Sequence, residues 1–124
     1  MQPDSNKCFV SIWTPPEWQD KELYKHSPKM EGWKDSIQLV FNDVTNQDKP
    51  SYVLFNDDMA RKLVAFVYKN MCSDFVVHCD AGMSRSVAVG CYLRDQLGYL
   101  LDLQAWYTDI HRNQLVYRIL MGYR

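Results

Sequence analysis

Apolar and polar positions along the chain fall into short blocks of two kinds. Lys7 to Trp13 (Lys-Cys-Phe-Val-Ser-Ile-Trp) is a mostly apolar run stopped by Thr14-Pro15-Pro16. Prolines cannot donate to a ladder, so this block predicts a short buried strand with a sharp end. Residues 15–35 mix Pro, Lys, Glu and Trp without a clean period, which predicts a surface excursion with one short helix around Glu17 to Lys25. Ser36 to Asn42 alternates and then turns apolar through Ile37, Leu39, Val40 and Phe41, as a second strand would. A polar loop follows from Asp43 to Ser51. Asn56-Asp57-Asp58 reads as a helix start, with a capping amide and acids in the first turn. Met59, Leu63, Phe66 and Val67 then recur at helical spacing and predict a helix over 57–70 with one buried face. Phe75 to His78 is a third short strand. Gly82 marks a tight turn, and Ser84 to Leu97 reads as a helix stopped by Gly98. Two further helices fit 102–111 and 113–121, the second capped by Asn113. Strands alternating with helices predict an α/β fold, a small and mostly parallel sheet covered by helices. Ligands in such folds bind at the carboxyl ends of the strands, which directs attention to the segment after Val77.

Composition narrows the function classes. The chain has 124 residues, 47% of them apolar and 23% charged, which suits one globular domain over 1–124. The formal net charge is -1, without the basic excess of a general nucleic-acid binder. The longest apolar run, Leu63 to Tyr68, is far too short for a membrane span. The N-terminus carries no apolar signal segment and neither end a lipidation motif, so the expected compartment is the cytoplasm. Cysteines stand at 8, 72, 79 and 91 with no Cys-x-x-Cys pair, and all four are expected as thiols. Cys72, His78, Cys79 and Cys91 match no common zinc spacing. Cys8, Cys72 and Cys91 are expected as small buried hydrophobes. Trp18 and Trp33 suit either a pocket wall or a cap on the core.

The chemistry concentrates in His78-Cys79-Asp80-Ala81-Gly82-Met83-Ser84-Arg85-Ser86, between a strand and a helix. In that context the amides of Asp80, Ala81, Gly82, Met83, Ser84 and Arg85 are expected to form an anion cradle. The helix N-terminus adds partial positive charge at the same place. Arg85 adds a planar fork matched to two phosphate oxygens. The same field favours a thiolate at Cys79, placed beneath a bound tetrahedral anion and in line with its central atom.

His78-Cys79-x-x-Gly82-x-x-Arg85-Ser86 resembles the signature of the cysteine-dependent protein tyrosine phosphatase superfamily. The Ala81-Gly82 and Ser84-Arg85-Ser86 form is most similar to the dual-specificity branch, and within it to small stand-alone microbial and viral members. The resemblance implies a protein tyrosine phosphatase-like fold and a two-step, metal-independent phosphomonoester hydrolysis with no cofactor. It implies that Cys79 forms a cysteinyl-phosphate intermediate and that Ser86 stabilises the departing thiolate. It implies further that His78 orders the loop.

The family also uses an aspartic acid, carried on a loop after an earlier strand, to protonate the leaving oxygen and later to activate water. Asp43 and Asp48 both lie in the right region. Asp43 is favoured because it directly follows the second strand, where the sheet would hold it near the loop. The loop contains no Lys and begins its variable part with Asp80, which would repel a polyanion. A phosphoprotein is therefore the expected substrate, tyrosine above serine or threonine. A phosphatase of nucleotides or inositol phosphates and a non-catalytic phosphate-binding module remain as alternatives.

Overall fold

In the computed structural model, which describes residues 2–18, 29–80, 84–101 and 111–123, three strands build one parallel sheet. They are β1 (Lys7–Trp13), β2 (Asp35–Val40) and β3 (Asp74–Cys79), in the order β2-β1-β3. The central position of β1 explains its composition. A strand paired on both edges and covered on both faces carries a near-continuous apolar run, and six of the seven residues of β1 are buried. In register, Ile12 stands opposite Leu39 on one side and Cys79 on the other. Phe41 N still donates to Trp13 O at 3.0 Å, and Asn42 N then turns away to Val53 O at 2.7 Å. The second strand thus stops at Val40, short of the expected Asn42, because β1 ends at Trp13 and the prolines.

Alternation along the strands assigns their faces. Cys8, Val10, Ile12, Leu39 and Cys79 point into the principal core, with Ile37, Phe75 and Val77 packed against it. Three helices supply the other half of this core: α1 (Asp57–Lys69), α2 (Arg85–Leu97) and α3 (Gln114–Met121). On the opposite face, Phe9 is fully buried and stacks on Trp33, with ring centroids 4.6 Å apart. Trp33 therefore covers Phe9 on that face of the sheet. Trp18 ends a 3₁₀ turn at Pro16–Trp18, partly exposed and tilted against Tyr52. The remainder of the helix expected to Lys25 lies outside the described residues, as does the one expected over 102–111 apart from its last position.

Local signals place the helices. Asn56 caps α1, its side chain accepting from Met59 N at 3.0 Å, with Asp57 and Asp58 in the first turn. Ala60, Leu63, Val64, Phe66 and Val67 form its buried face. Gly98 ends α2 in the left-handed region, at φ 78°, which L side chains rarely adopt. Helix α2 is buried from Val87 to Leu93, so it is enclosed rather than amphipathic. At Gly90 a Cβ would come within 2.7 Å of Leu101 Cδ1, so the chain after α2 packs back on the helix where glycine leaves room. Cys8 and Cys91 are buried as expected, but Cys72 is exposed, because it lies in the turn that joins α1 to β3. No helix among the described residues is long and apolar enough to cross a membrane.

Leu63 is fully buried in the middle of α1. Leu63→Ala should lower folding stability by roughly 2–5 kcal/mol, the usual range for truncating a core leucine. Denaturant titration of the variant against the parent chain measures it.

Candidate functional site

The last residue of β3 and the first two of α2 form the centre of the site. Cys79 ends the strand, 1% exposed, on the face that looks towards the helices. Its Sγ lies 3.3 Å from Ser86 Oγ, in the first turn of α2. Ser84 occupies the N-cap position of α2 without a side-chain capping bond. The leading amides of the helix are thereby left to other acceptors. Ala81, Gly82 and Met83, expected in the cradle, lie outside the described residues.

Arg85 is 2% exposed and is held at the ends of β2 and β3. Nη1 donates to Phe41 O, just past β2, at 2.7 Å. Nη2 donates to Asp80 Oδ1, just past β3, in a buried ion pair. The other oxygen of Asp80 accepts from Thr14 N, just past β1, at 2.9 Å. The guanidinium also lies 5.9 Å from the centre of the Phe41 ring. Among the described residues its buried Nε has no hydrogen-bond partner. A buried donor left unmet costs on the order of 1–3 kcal/mol.

Asp80 differs from its expected role. Its amide donates to Ile12 O at 3.2 Å, extending the β1–β3 ladder, so that amide is not a cradle donor. The reason is register: Ile12 and Cys79 are partners, and the next amide along β3 falls to the Ile12 carbonyl. Burial pushes the Asp80 carboxyl upwards. The Thr14 hydrogen bonds and the charge and donor of Arg85 outweigh it and hold the group below its ordinary value. His78 points to the opposite face of the sheet, and its buried Nδ1 makes no hydrogen bond, so the expected loop-ordering bond is not made through that atom. Burial pushes its imidazole below the ordinary value, with Asp80 opposing and the chain N-terminus adding to the shift.

The two candidate acids sit differently on the loop between β2 and α1. Asn42 closes this loop at its base, its side chain accepting from Val53 N at 2.8 Å. Gln47 braces the interior by donating to Lys49 O at 2.8 Å and Tyr52 O at 2.7 Å. Asp43 is exposed, and its Oδ1 accepts from Asn113 Nδ2 at 2.8 Å. Asn113 N in turn donates to Ser84 O at 3.0 Å, which ties Asp43 to the start of α2. Asp48 is engaged within its own loop, where Asn46, with its amide nitrogen turned to the carboxylate, donates to both oxygens at 2.7 Å.

Sequence reasoning singled out Cys79, Arg85, Ser86 and Asp43 as candidates, and it read Asn113 only as a helix cap. It missed the acceptor carbonyl of Phe41 and the donor amide of Thr14, since backbone groups leave no trace in residue identity. Among the described residues no group of three or more His, Cys, Asp or Glu side chains converges, and Cys72, His78, Cys79 and Cys91 do not come together. Comparison of the chain with protein-family models, with curated proteins and with solved structures finds no match.

The two shifted groups at the site contribute to a pH dependence, alongside Asp35 and Asp95, whose carboxyls are also held low. His78 and Asp80 both have folded values depressed below the ordinary 6.5 and 3.8. Each contribution to stability is complete above the ordinary value and is lost as pH falls through the folded one. Stability should therefore decline in two stages, from below 6.5 through His78 and from below 3.8 through Asp80. Denaturant midpoints across this range should show His78→Gln flattening the first stage and Asp80→Asn the second.

Proposed function

We propose that the chain is a phosphomonoester hydrolase of the cysteine-dependent protein tyrosine phosphatase type, in its dual-specificity branch. One observation carries the reading: a thiol at the end of a parallel strand faces a hydroxyl 3.3 Å away, beside a buried arginine whose Nε has no partner among the described residues. This is the arrangement in which a phosphate oxygen completes the donor set while its phosphorus faces sulfur. The parallel sheet, with the helix leading directly from the loop after Cys79, agrees with the architecture of that superfamily.

The Cys79 thiolate attacks phosphorus, forming the S–P bond as the ester P–O bond breaks. The leaving oxygen takes the proton of Asp43, whose place beside the start of α2 favours it over Asp48. Water then attacks phosphorus and gives its proton to the Asp43 carboxylate. The S–P bond breaks, inorganic phosphate leaves, and sulfur departs as a thiolate that accepts a hydrogen bond from the Ser86 hydroxyl. Arg85 and the helix amides bear the charge on the equatorial oxygens throughout. The carboxylate of Asp80, buried against Arg85, offsets part of the positive charge available to substrate. That balance favours a single phosphate on a protein side chain over a polyphosphorylated small molecule.

Cys79→Ser should abolish hydrolysis of an aryl phosphate while keeping affinity for vanadate, because the anion-binding groups survive. Arg85→Lys should lose roughly 10²–10³ in turnover, the scale for removing a preorganised donor, since an ammonium cannot reproduce the fork. Near-normal turnover in Cys79→Ser would end the reading.

Asp43→Asn should slow an alkyl phosphate by about 10²–10⁴, the span of general acid catalysis, and an activated aryl phosphate much less. Asp48→Asn should have a small effect that is the same for both. Rates for a series of leaving groups give the answer.

A further inference from the structure

Asn113 is 4% exposed and uses its whole polar inventory. Its Oδ1 accepts from Val116 N at 3.1 Å and caps α3. Its Nδ2 donates to Asp43 Oδ1 at 2.8 Å and to Val44 O at 3.2 Å. Its backbone amide donates to Ser84 O at 3.0 Å, the same carbonyl that accepts from Ala88 N in the first turn of α2. One residue thus joins three pieces of chain: the start of α3, the loop of Asp43 and the start of the helix that carries Arg85 and Ser86.

A cap requires only the side-chain oxygen. Serine or aspartate would serve α3 equally well, and neither has two N–H donors to send outwards. The amide nitrogen of Asn113 therefore does work that capping does not explain. A hydrogen bond on Oδ1 of Asp43 fixes the rotation of the carboxyl group and leaves Oδ2 to carry the transferable proton. The second bond, to Val44 O, fixes the backbone beside it. Both are referred to Ser84, one residue from Arg85, so the proton donor and the anion site share one reference point.

We propose that Asn113 is a positioning residue for Asp43, setting the acid's distance and orientation relative to the bound phosphate. This inference rests on the phosphatase reading and on Asp43 as its acid. Misplacement of a reacting group by about 1 Å costs on the order of 10²-fold, which sets the size of the expected effect.

The test is a leaving-group series with Asn113→Ser, which keeps a capping oxygen and removes both donors. Turnover of alkyl phosphates should fall roughly tenfold to a hundredfold. Activated aryl phosphates and vanadate affinity should change less than about threefold, since neither depends on the acid. In an Asp43→Asn background the same substitution should add little, because the group it positions is already gone. Asn113→Thr, which also keeps a capping oxygen and has no N–H donors, should repeat the pattern and covers the case in which the serine variant folds poorly. A loss equal across leaving groups, or equal with and without Asp43, makes Asn113 merely structural and overturns the inference while hydrolysis through Cys79 stands. Absence of Cys79-dependent hydrolysis in the parent chain removes the phosphatase reading and this inference with it.

Discussion

A guanidinium without access to water must find its partners inside the protein, and Arg85 finds them at the ends of two strands, with the third reached through Asp80. Leaving a buried charge uncompensated typically costs several kcal/mol, so these partners constrain everything around them. Phe41 O takes one end of the fork. Asp80 takes the other and is itself fixed by Thr14 N. The carboxyl edge of the sheet is therefore laced together by one side chain from the following helix. Cys79 ends its strand within this knot, and its distance from Ser86 follows from where Arg85 anchors the first turn of α2.

The knot also explains the orphaned Nε. One N–H of Nη1 and one of Nη2 are engaged, so the guanidinium cannot swing to bring Nε to another acceptor without giving up a buried partner. Unmet buried donors are rare in proteins, and those that persist ask for a reason.

Rigidity extends outwards from there through a second joint. The loop after β2 is closed at its base by Asn42, braced inside by Gln47 and tied across to α3 by Asn113. Helix α3 buries Leu115, Val116 and Leu120, so the amide that meets Asp43 is anchored by hydrophobic packing on the far side of the helix. Core burial and site geometry are in this way mechanically connected. The pairing joins an exposed carboxylate to a buried amide, so the orientation of Asp43 is decided by the core.

The amino-acid sequence by itself determined the elements that depend on near neighbours. The run stopped by two prolines became β1, the Asn-Asp-Asp cap opened α1, and Gly98 closed α2, because strand period, capping and left-handed turns are settled within a few residues. The strand-Cys79-loop-Arg85-helix order was legible for the same reason. Tertiary structure alone decided where the chemistry of those residues goes. Arg85 reaches Phe41 across 44 positions, Asp80 reaches Thr14 across 66, and Asn113 reaches Asp43 across 70. It also decided that the amide of Asp80 would serve the ladder while its carboxylate serves Arg85, a division set by the register of β1 against β3. Such bonds engage backbone groups that every residue carries and amides whose second donor is invisible in a capping pattern. They come into being only when packing has excluded water and each buried polar group must take the partner that the fold puts beside it.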